Sequence, residues 1–351
     1  MVFPLLIVVL ASMSQSTFEV ERRPLMRDGC EVGFSLFRNS SSVANVGCVL
    51  FYSSVRNSIV WAEESEVYGF YRGQQQKFLD DVAKHYNGKP CYLFFLAVDD
   101  STIPSKLRQE ISDRGFIYLA HAIKTPNRTE LSMKSGGLIL QPDFHFIEHL
   151  GFSHIIDIAS KSPSYSTRIP DVFWRGSTTG ETSTGCEGLD RVKVCTISDQ
   201  YEWLSFKITR LLHSCRGSDL SSSKLFGNMT AESEWMKHKG VLDIDGFVNA
   251  WGLLWRLASG SVVYKIDSEY TNAYILKMKP YVHYIPIASN FSDLGSQTKS
   301  ILDNFVTHCV LGKCSRINLE DIANNAYLLS RSFSYKREVK RVAHEIRSIA
   351  G

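Results

Sequence analysis

The chain has 351 residues, and its 39 Lys and Arg so nearly offset its 36 Asp and Glu that the formal charge is only +3. Both signs are interspersed with no basic block, which argues against a nucleic-acid partner. A hydrophobic share of 44% with 21% charged residues excludes a disordered or fibrous chain, and the length is enough for two domains with cores of their own.

Residues Val2 to Ala11 form an unbroken apolar run followed by small and polar residues. Such a run is too short to span a bilayer, so residues 1–17 are expected to be a signal peptide. Sequons at Asn39, Asn127, Asn228 and Asn290, with eight cysteines, point to glycosylation and disulfides in the secretory pathway, in the lumen of the endoplasmic reticulum or Golgi or outside the cell. No later segment is apolar enough for an integral membrane span, and the C-terminus carries no Lys-Asp-Glu-Leu type signal. Cys309 with Cys314, and Cys186 with Cys195, are spaced to close short loops; free buried thiols are the alternative.

Two apolar, β-prone runs, Cys30 to Phe37 and Val46 to Tyr52, flank a polar turn. Phe78, Leu79, Val82 and Ala83 recur at helical spacing within Gln74 to His85, and Asn87-Gly88 stops that helix. The apolar run Cys91 to Val98 follows as a buried strand, with Asp99-Asp100 after it as loop or capping acids. Lys106 to Arg114 predicts another helix and Phe116 to Ala120 another strand. Helices alternating with buried strands give an α/β chain with a parallel sheet. Near the end, Thr298 to His308 and Asn318 to Arg331 are expected helices. Tyr335 to Ala350 is an amphipathic closing helix with Val339, Val342, Ala343, Ile346 and Ile349 on one face, where packing is commoner than attachment to a membrane surface.

The stretch Phe173 to Gly180 sets Arg175 beside two glycines, Gly176 and Gly180, and three hydroxyls, Ser177, Thr178 and Thr179. A guanidinium fork next to approachable backbone N–H groups and hydroxyl donors suits phosphate oxygens. The plainer alternative is a surface arginine with a Ser/Thr/Gly turn behind it.

Further on stand Asp245-Gly246, Ser259-Gly260-Ser261-Val262-Val263, Lys279-Pro280-Tyr281-Val282-His283-Tyr284-Ile285-Pro286 and Ser292-Asp293-Leu294. With Trp174-Arg175-Gly176-Ser177 ahead of them, this order resembles glycosyltransferase family 90, which includes protein O-glucosyltransferases, O-xylosyltransferases and enzymes that modify capsules or lipopolysaccharides. The resemblance covers roughly residues 140 to 300. It implies a GT-B-like fold: two facing Rossmann-like domains with an interdomain cleft, an acceptor-side domain over 18–165, a nucleotide-sugar domain over 166–335, and the closing helix over 336–351.

It also implies an inverting transfer of glucose or xylose from a UDP-sugar to a hydroxyl of a protein or glycan acceptor. The donor would meet Arg175, Gly176, Ser177, Thr178, Gly180, Asp245, Gly246, Arg256, Ser259, Gly260 and Ser261, with Arg191 and Lys207 as weaker additions. Asp143 matches the family's proposed general base, which takes the acceptor proton as C1 is attacked from the opposite face. No metal or other cofactor is expected. Asp243-Ile244-Asp245 alone is also compatible with a divalent cation under a diphosphate, and His145, His149 and His154 lie close in sequence without clear ligand spacing. His145, Phe152 and His154 depart from the family's pattern, Gly252 stands where protein glucosyltransferases carry arginine, and the interval from Asp143 to Arg175 is shortened. A catalytically silent relative that binds a nucleotide or glycan is the alternative.

Overall fold

A computed structural model of the protein describes residues 46–51, 60–61, 69–89, 91–96, 113, 115–124, 137–180 and 185–351. The expected signal peptide, Cys30 to Phe37, the sequons at Asn39 and Asn127, Asp99-Asp100 and nearly all of the helix expected over 106–114 lie outside them. The chain divides into two compact units, residues 1–147 with 336–351, and residues 148–335.

The first unit holds a mixed sheet of order β2-β1-β3-β4-β5. Its strands are β1 (Val46–Phe51), β2 (Val60–Trp61), β3 (Cys91–Leu96), β4 (Ile117–Ala120) and β5 (Leu138–Leu140). β1 runs antiparallel to β2 and β3, whereas β3, β4 and β5 are parallel. Helix α1 (Gly69–Ala83) buries Phe78, Leu79 and Val82, one stripe at helical spacing. Helix α2 (Phe144–Glu148) starts where Asp143 Oδ1 accepts the Phe146 N–H at 2.8 Å.

The second unit is built on a five-stranded sheet in which every recorded pairing is parallel, of order β10-β9-β8-β6-β7. The strands are β6 (Ile169–Ser177), β7 (Leu204–Arg210), β8 (His238–Asp243), β9 (Val262–Ile266) and β10 (Ile285–Ile287). β8 and β9 are buried along their whole length, as central strands of a parallel sheet are, and they carry His238, Lys239, Asp243 and Lys265 into the interior. Around the sheet run α3 (Ser153–Ser160), α4 (Asp190–Ser198), α5 (Glu232–Trp235), α6 (Leu253–Ala258), α7 (Leu294–Asp303) and α8 (Leu319–Ser330). Because α3 packs on α5 and α6, this unit starts near residue 148, earlier than the expected boundary at 165.

The helix expected over Thr298 to His308 stops early. Asn304 adopts a left-handed conformation, φ 58°, and ends α7. The β-prone residues after it form β11 (Phe305–Val310), paired antiparallel with β12 (Lys313–Asn318) and closed by the Cys309–Cys314 disulfide. Asn318 then caps α8 by accepting the Glu320 N–H at 2.8 Å. The closing helix α9 (Tyr335–Ala350) buries Val339, Val342, Ala343 and Ile346. Arg341 ties it to β5, donating to the Leu140 carbonyl at 2.7 Å while pairing with Glu338 and Glu345.

Candidate functional site

In chain order the parallel strands of the second unit stand 2-1-3-4-5. The chain goes outward from β6 to β7 and then returns across β6 to β8, so the connections diverge between β6 and β8. In doubly wound sheets ligands bind outside the carboxyl ends of the strands at that switch point. The loops there are the ones after β6, Thr178 to Gly180, and after β8, Ile244 to Gly252. Five residues picked from sequence meet at this edge: Ser177, Thr178, Gly180, Asp245 and Gly246.

Their geometry follows from the residue types. A Cβ on Gly246 would lie 2.7 Å from Thr179 Oγ1 and 3.3 Å from Arg191 Nη2, so only glycine lets the two loops approach. Gly180 has φ +136°, and a Cβ there would meet the Gly246 carbonyl at 3.6 Å. Thr178 is fully buried; its Oγ1 accepts the Leu212 N–H at 2.7 Å and donates to the Leu212 carbonyl at 3.1 Å, anchoring the β6 loop to the end of β7. Arg191, on α4, donates to the carbonyls of Ser177 at 3.1 Å, Ile244 at 3.1 Å and Asp245 at 2.9 Å. One guanidinium thus holds both sides of the switch point.

Below the β8 loop lies a buried group of four charges. Asp243, with no solvent exposure, accepts from Arg256 Nη1 at 2.7 Å and from Lys265 Nζ at 3.1 Å, and Lys265 is also 3.7 Å from Asp245. Two carboxylates and two cations balance. Burial lowers the Arg256 pKa, against the opposing pull of Asp243. Burial alone would also lower Lys265, but Asp245 and Asp243 outweigh it and hold the ammonium above its ordinary value. Burial raises Asp245, with Lys265 opposing. Asp245 Oδ1 also accepts the Ala250 N–H at 3.1 Å, which fixes the loop.

Other predicted residues stand elsewhere. The Arg175 guanidinium does not face the loops. It leans back along β6 over the Phe173 ring, 4.1 Å from its centroid, and donates to the Ser205 carbonyl near the start of β7 at 2.6 Å and to its own neighbour's carbonyl, Trp174, at 2.8 Å. Ring stacking and two backbone acceptors hold it toward the amino edge of the sheet, away from the switch-point loops. Gly176 gives Trp174 room, since a Cβ would lie 2.4 Å from that ring.

Ser259, Gly260 and Ser261 precede β9, so they too stand at the amino edge, a strand length of about 16 Å from Asp245 and Gly246. There Arg168 donates to the Ser259 carbonyl at 3.2 Å and to Ser261 Oγ at 2.8 Å, while Gly260 takes φ +72°. This is a buried turn closed by an arginine the sequence reading did not single out. Arg256 likewise serves Asp243. Asp143 is 2% exposed and caps α2. Lys207 is bound to the Lys224 carbonyl, and His149 stacks on Phe152 with His154 beside it.

Two further residues were missed. Lys265 had a readable signal, a lone lysine inside the apolar run Val262 to Ile266, which is tolerated in a buried strand only with charge partners. Asn249 had none: it is 3% exposed, and neither its amide oxygen nor its nitrogen has a hydrogen-bond partner. Of the two expected cysteine pairings, Cys309–Cys314 forms and Cys186–Cys195 does not. Cys186 bonds Cys215, across 29 residues, and Cys195 is a free buried thiol on α4 that burial pushes up to about 12. The β7 and α4 connections bring Cys215, not Cys195, to Cys186. The sequons at Asn228 and Asn290 are exposed.

A parallel α/β unit with a topological switch point between β6 and β8 defines the class. Within it, residues 151–304 match the family model described as glycosyl transferase family 90. It is 43% identical over 61 residues to protein O-glucosyltransferase 2 of Danio rerio, covering 17% of this chain and 12% of that protein. With protein O-glucosyltransferase 3 of Homo sapiens it shares 31% over 86 residues, 24% of this chain and 16% of the relative. With the Rattus norvegicus protein of that name it shares 26% over 144 residues, 40% and 26%. The chain therefore matches between 12% and 26% of the length of these relatives. Among solved structures, the pneumococcal O-GlcNAc transferase GtfA in complex with UDP and GlcNAc aligns at 10% identity and TM-score 0.36, over 86% of this chain and 51% of that one. Asp143 lies before the segment that matches the family model.

Proposed function

We propose that the protein is an inverting, metal-independent glycosyltransferase of the secretory pathway that moves a sugar, glucose or xylose, from a UDP-sugar to a hydroxyl of a protein or glycan acceptor. The observation that carries this reading is the switch point between β6 and β8, whose two loops are brought together by Gly180, Gly246 and Arg191 inside the segment that matches the family model. Asn249, on the same loop, offers a buried donor and acceptor without partners, a pair that adjacent sugar hydroxyls complement. Metal independence is supported by the balance of charges: Asp243 and Asp245 are already answered by Arg256 and Lys265, and a divalent cation would have to displace a buried ammonium.

Asp143 is the proposed base. It takes the acceptor proton while the acceptor oxygen bonds to C1, and the bond from C1 to the diphosphate breaks on the opposite face to release UDP. The second reading, a silent relative that binds without transferring, is favoured by one observation: the Asp143 carboxylate is buried and engaged in capping α2. UDP release from a panel of UDP-sugars, with chelator present and Asp143→Asn as control, tests both. Release that survives chelator and disappears in the variant is expected; UDP binding without release would establish the silent relative.

A further inference from the structure

We propose that Arg191 is a positioning residue for the donor, one that fixes the two loops of the crevice in the geometry that receives the diphosphate without itself binding it. The inference rests on the proposed nucleotide-sugar reading of this site. Three of the five guanidinium N–H groups go to backbone carbonyls, Ser177 from the loop after β6 and Ile244 and Asp245 from the loop after β8. The Arg191 Cζ lies 5.8 Å from the centre of the Trp174 ring, whose own strand leads into the first loop. Gly246 approaches Thr179 and Arg191 too closely for any side chain, so the two loops meet at the point where the arginine holds them.

The two loops are far apart in sequence and are attached to neighbouring strands that share few pairings, Ile169 with His238, Val172 with Gly240 and Phe173 with Val241, none of which reaches the carboxyl end of either strand. Beyond Phe173 the pairing recorded for β6 is with β7 on its other side. Arg191 therefore replaces the missing ladder at the carboxyl edge with a side chain. The fork geometry is essential: an ammonium has the charge but not three rigid, divergent donors to reach carbonyls on two segments.

The test compares wild type, Arg191→Lys and Arg191→Ala by calorimetric titration with UDP, with thermal melting of each free protein as a control on folding. A positioning role predicts that Lys and Ala weaken UDP binding alike, by about tenfold or more. It also predicts that ethylguanidinium restores binding to the Ala variant, an effect that a general loss of stability would not produce. A lysine variant that keeps wild-type affinity would overturn the proposal in favour of a simple phosphate cation. Should the variants melt too low to titrate, hydrogen exchange in wild type decides. Slow exchange at residues 178–180 and 246–249 that quickens no more than the rest of the sheet in mild denaturant overturns the strap, and selective quickening of both loops together supports it. Wild type that binds no uridine nucleotide would overturn the functional reading as well, whereas wild-type binding with unaffected variants overturns only the role of Arg191.

Discussion

Replacing Asp243 by alanine removes the centre of the buried charge group. At an effective dielectric constant of about 20, unit charges at the observed separations of 2.7 and 3.1 Å attract by about 6 and about 5 kcal/mol before desolvation is counted. Desolvation of each ion offsets most of that. What matters for the variant is the remainder: Arg256 and Lys265, with side chains 10% and 1% exposed, keep their desolvation cost and retain only Asp245 as counter-ion. Loss of one partner from such a group costs about 3–5 kcal/mol. With a urea m-value of about 2 kcal/mol/M, the unfolding midpoint of purified Asp243→Ala is expected to fall by about 1.5–2.5 M. Adding Lys265→Met should recover part of the loss, because it removes the stranded ammonium, so the two changes will not be additive. A loss under about 1 kcal/mol in the single variant, or stabilisation of wild type by millimolar Mn²⁺ that Asp243→Ala abolishes, would refute the self-balanced group and restore the metal reading.

Asp143→Asn should leave the α2 cap intact, since asparagine caps as well as aspartate, whereas Asp143→Ala costs about 1 kcal/mol. UDP release from a UDP-sugar in both variants, at normal melting temperature for Asn, shows whether the carboxylate is the base; turnover in Asn would place the base elsewhere. Arg175→Ala is expected to lower thermal stability, because the Ser205 carbonyl and the Phe173 ring lose their partner, while UDP affinity measured by titration stays unchanged. A lost affinity in a well-folded variant would return Arg175 to the donor site. His121 gives a pH dependence. Its ring is 5% exposed, Nδ1 donates to the Pro142 carbonyl at 2.6 Å and Nε2 faces the Gln141 amide at 3.4 Å, and burial lowers its pKa to about 4, against the raising effect of Pro142. The unfolded ring titrates near the ordinary value of about 6.5, so between these values the unfolded chain binds the proton and the folded one does not. Stability contributed above about pH 6.5 is thus lost as the pH falls toward about 4, by about 3 kcal/mol. Denaturation of His121→Gln should show a flatter profile over that window.

Much of this architecture is local and was therefore legible. The helical spacing of Phe78, Leu79 and Val82, the closing stripe of Val339, Val342, Ala343 and Ile346 and the apolar runs of β3 and β9 each depend on near neighbours, and all formed as expected. Motif order sufficed to point to the family whose model matches residues 151–304, because the order of glycines and charged residues can be read in sequence whatever each one does. What the residues do was decided by tertiary packing. Whether Arg175 points to the loops or back along its strand depends on Phe173 and on a carbonyl 30 positions away. The chain order of Ser259-Gly260-Ser261 and Asp245-Gly246 conceals that a strand and a helix connection put them at opposite edges of one sheet. Cys215 reached Cys186 through the same kind of long-range closure, and Arg191 bridges the loops after β6 and β8 only because the return crossover of the chain set β8 beside β6. Sequence carries propensity and motif at short range. The direction of a charged side chain, and hence which groups share a site, is fixed by partners that only the folded sheet brings within hydrogen-bonding distance.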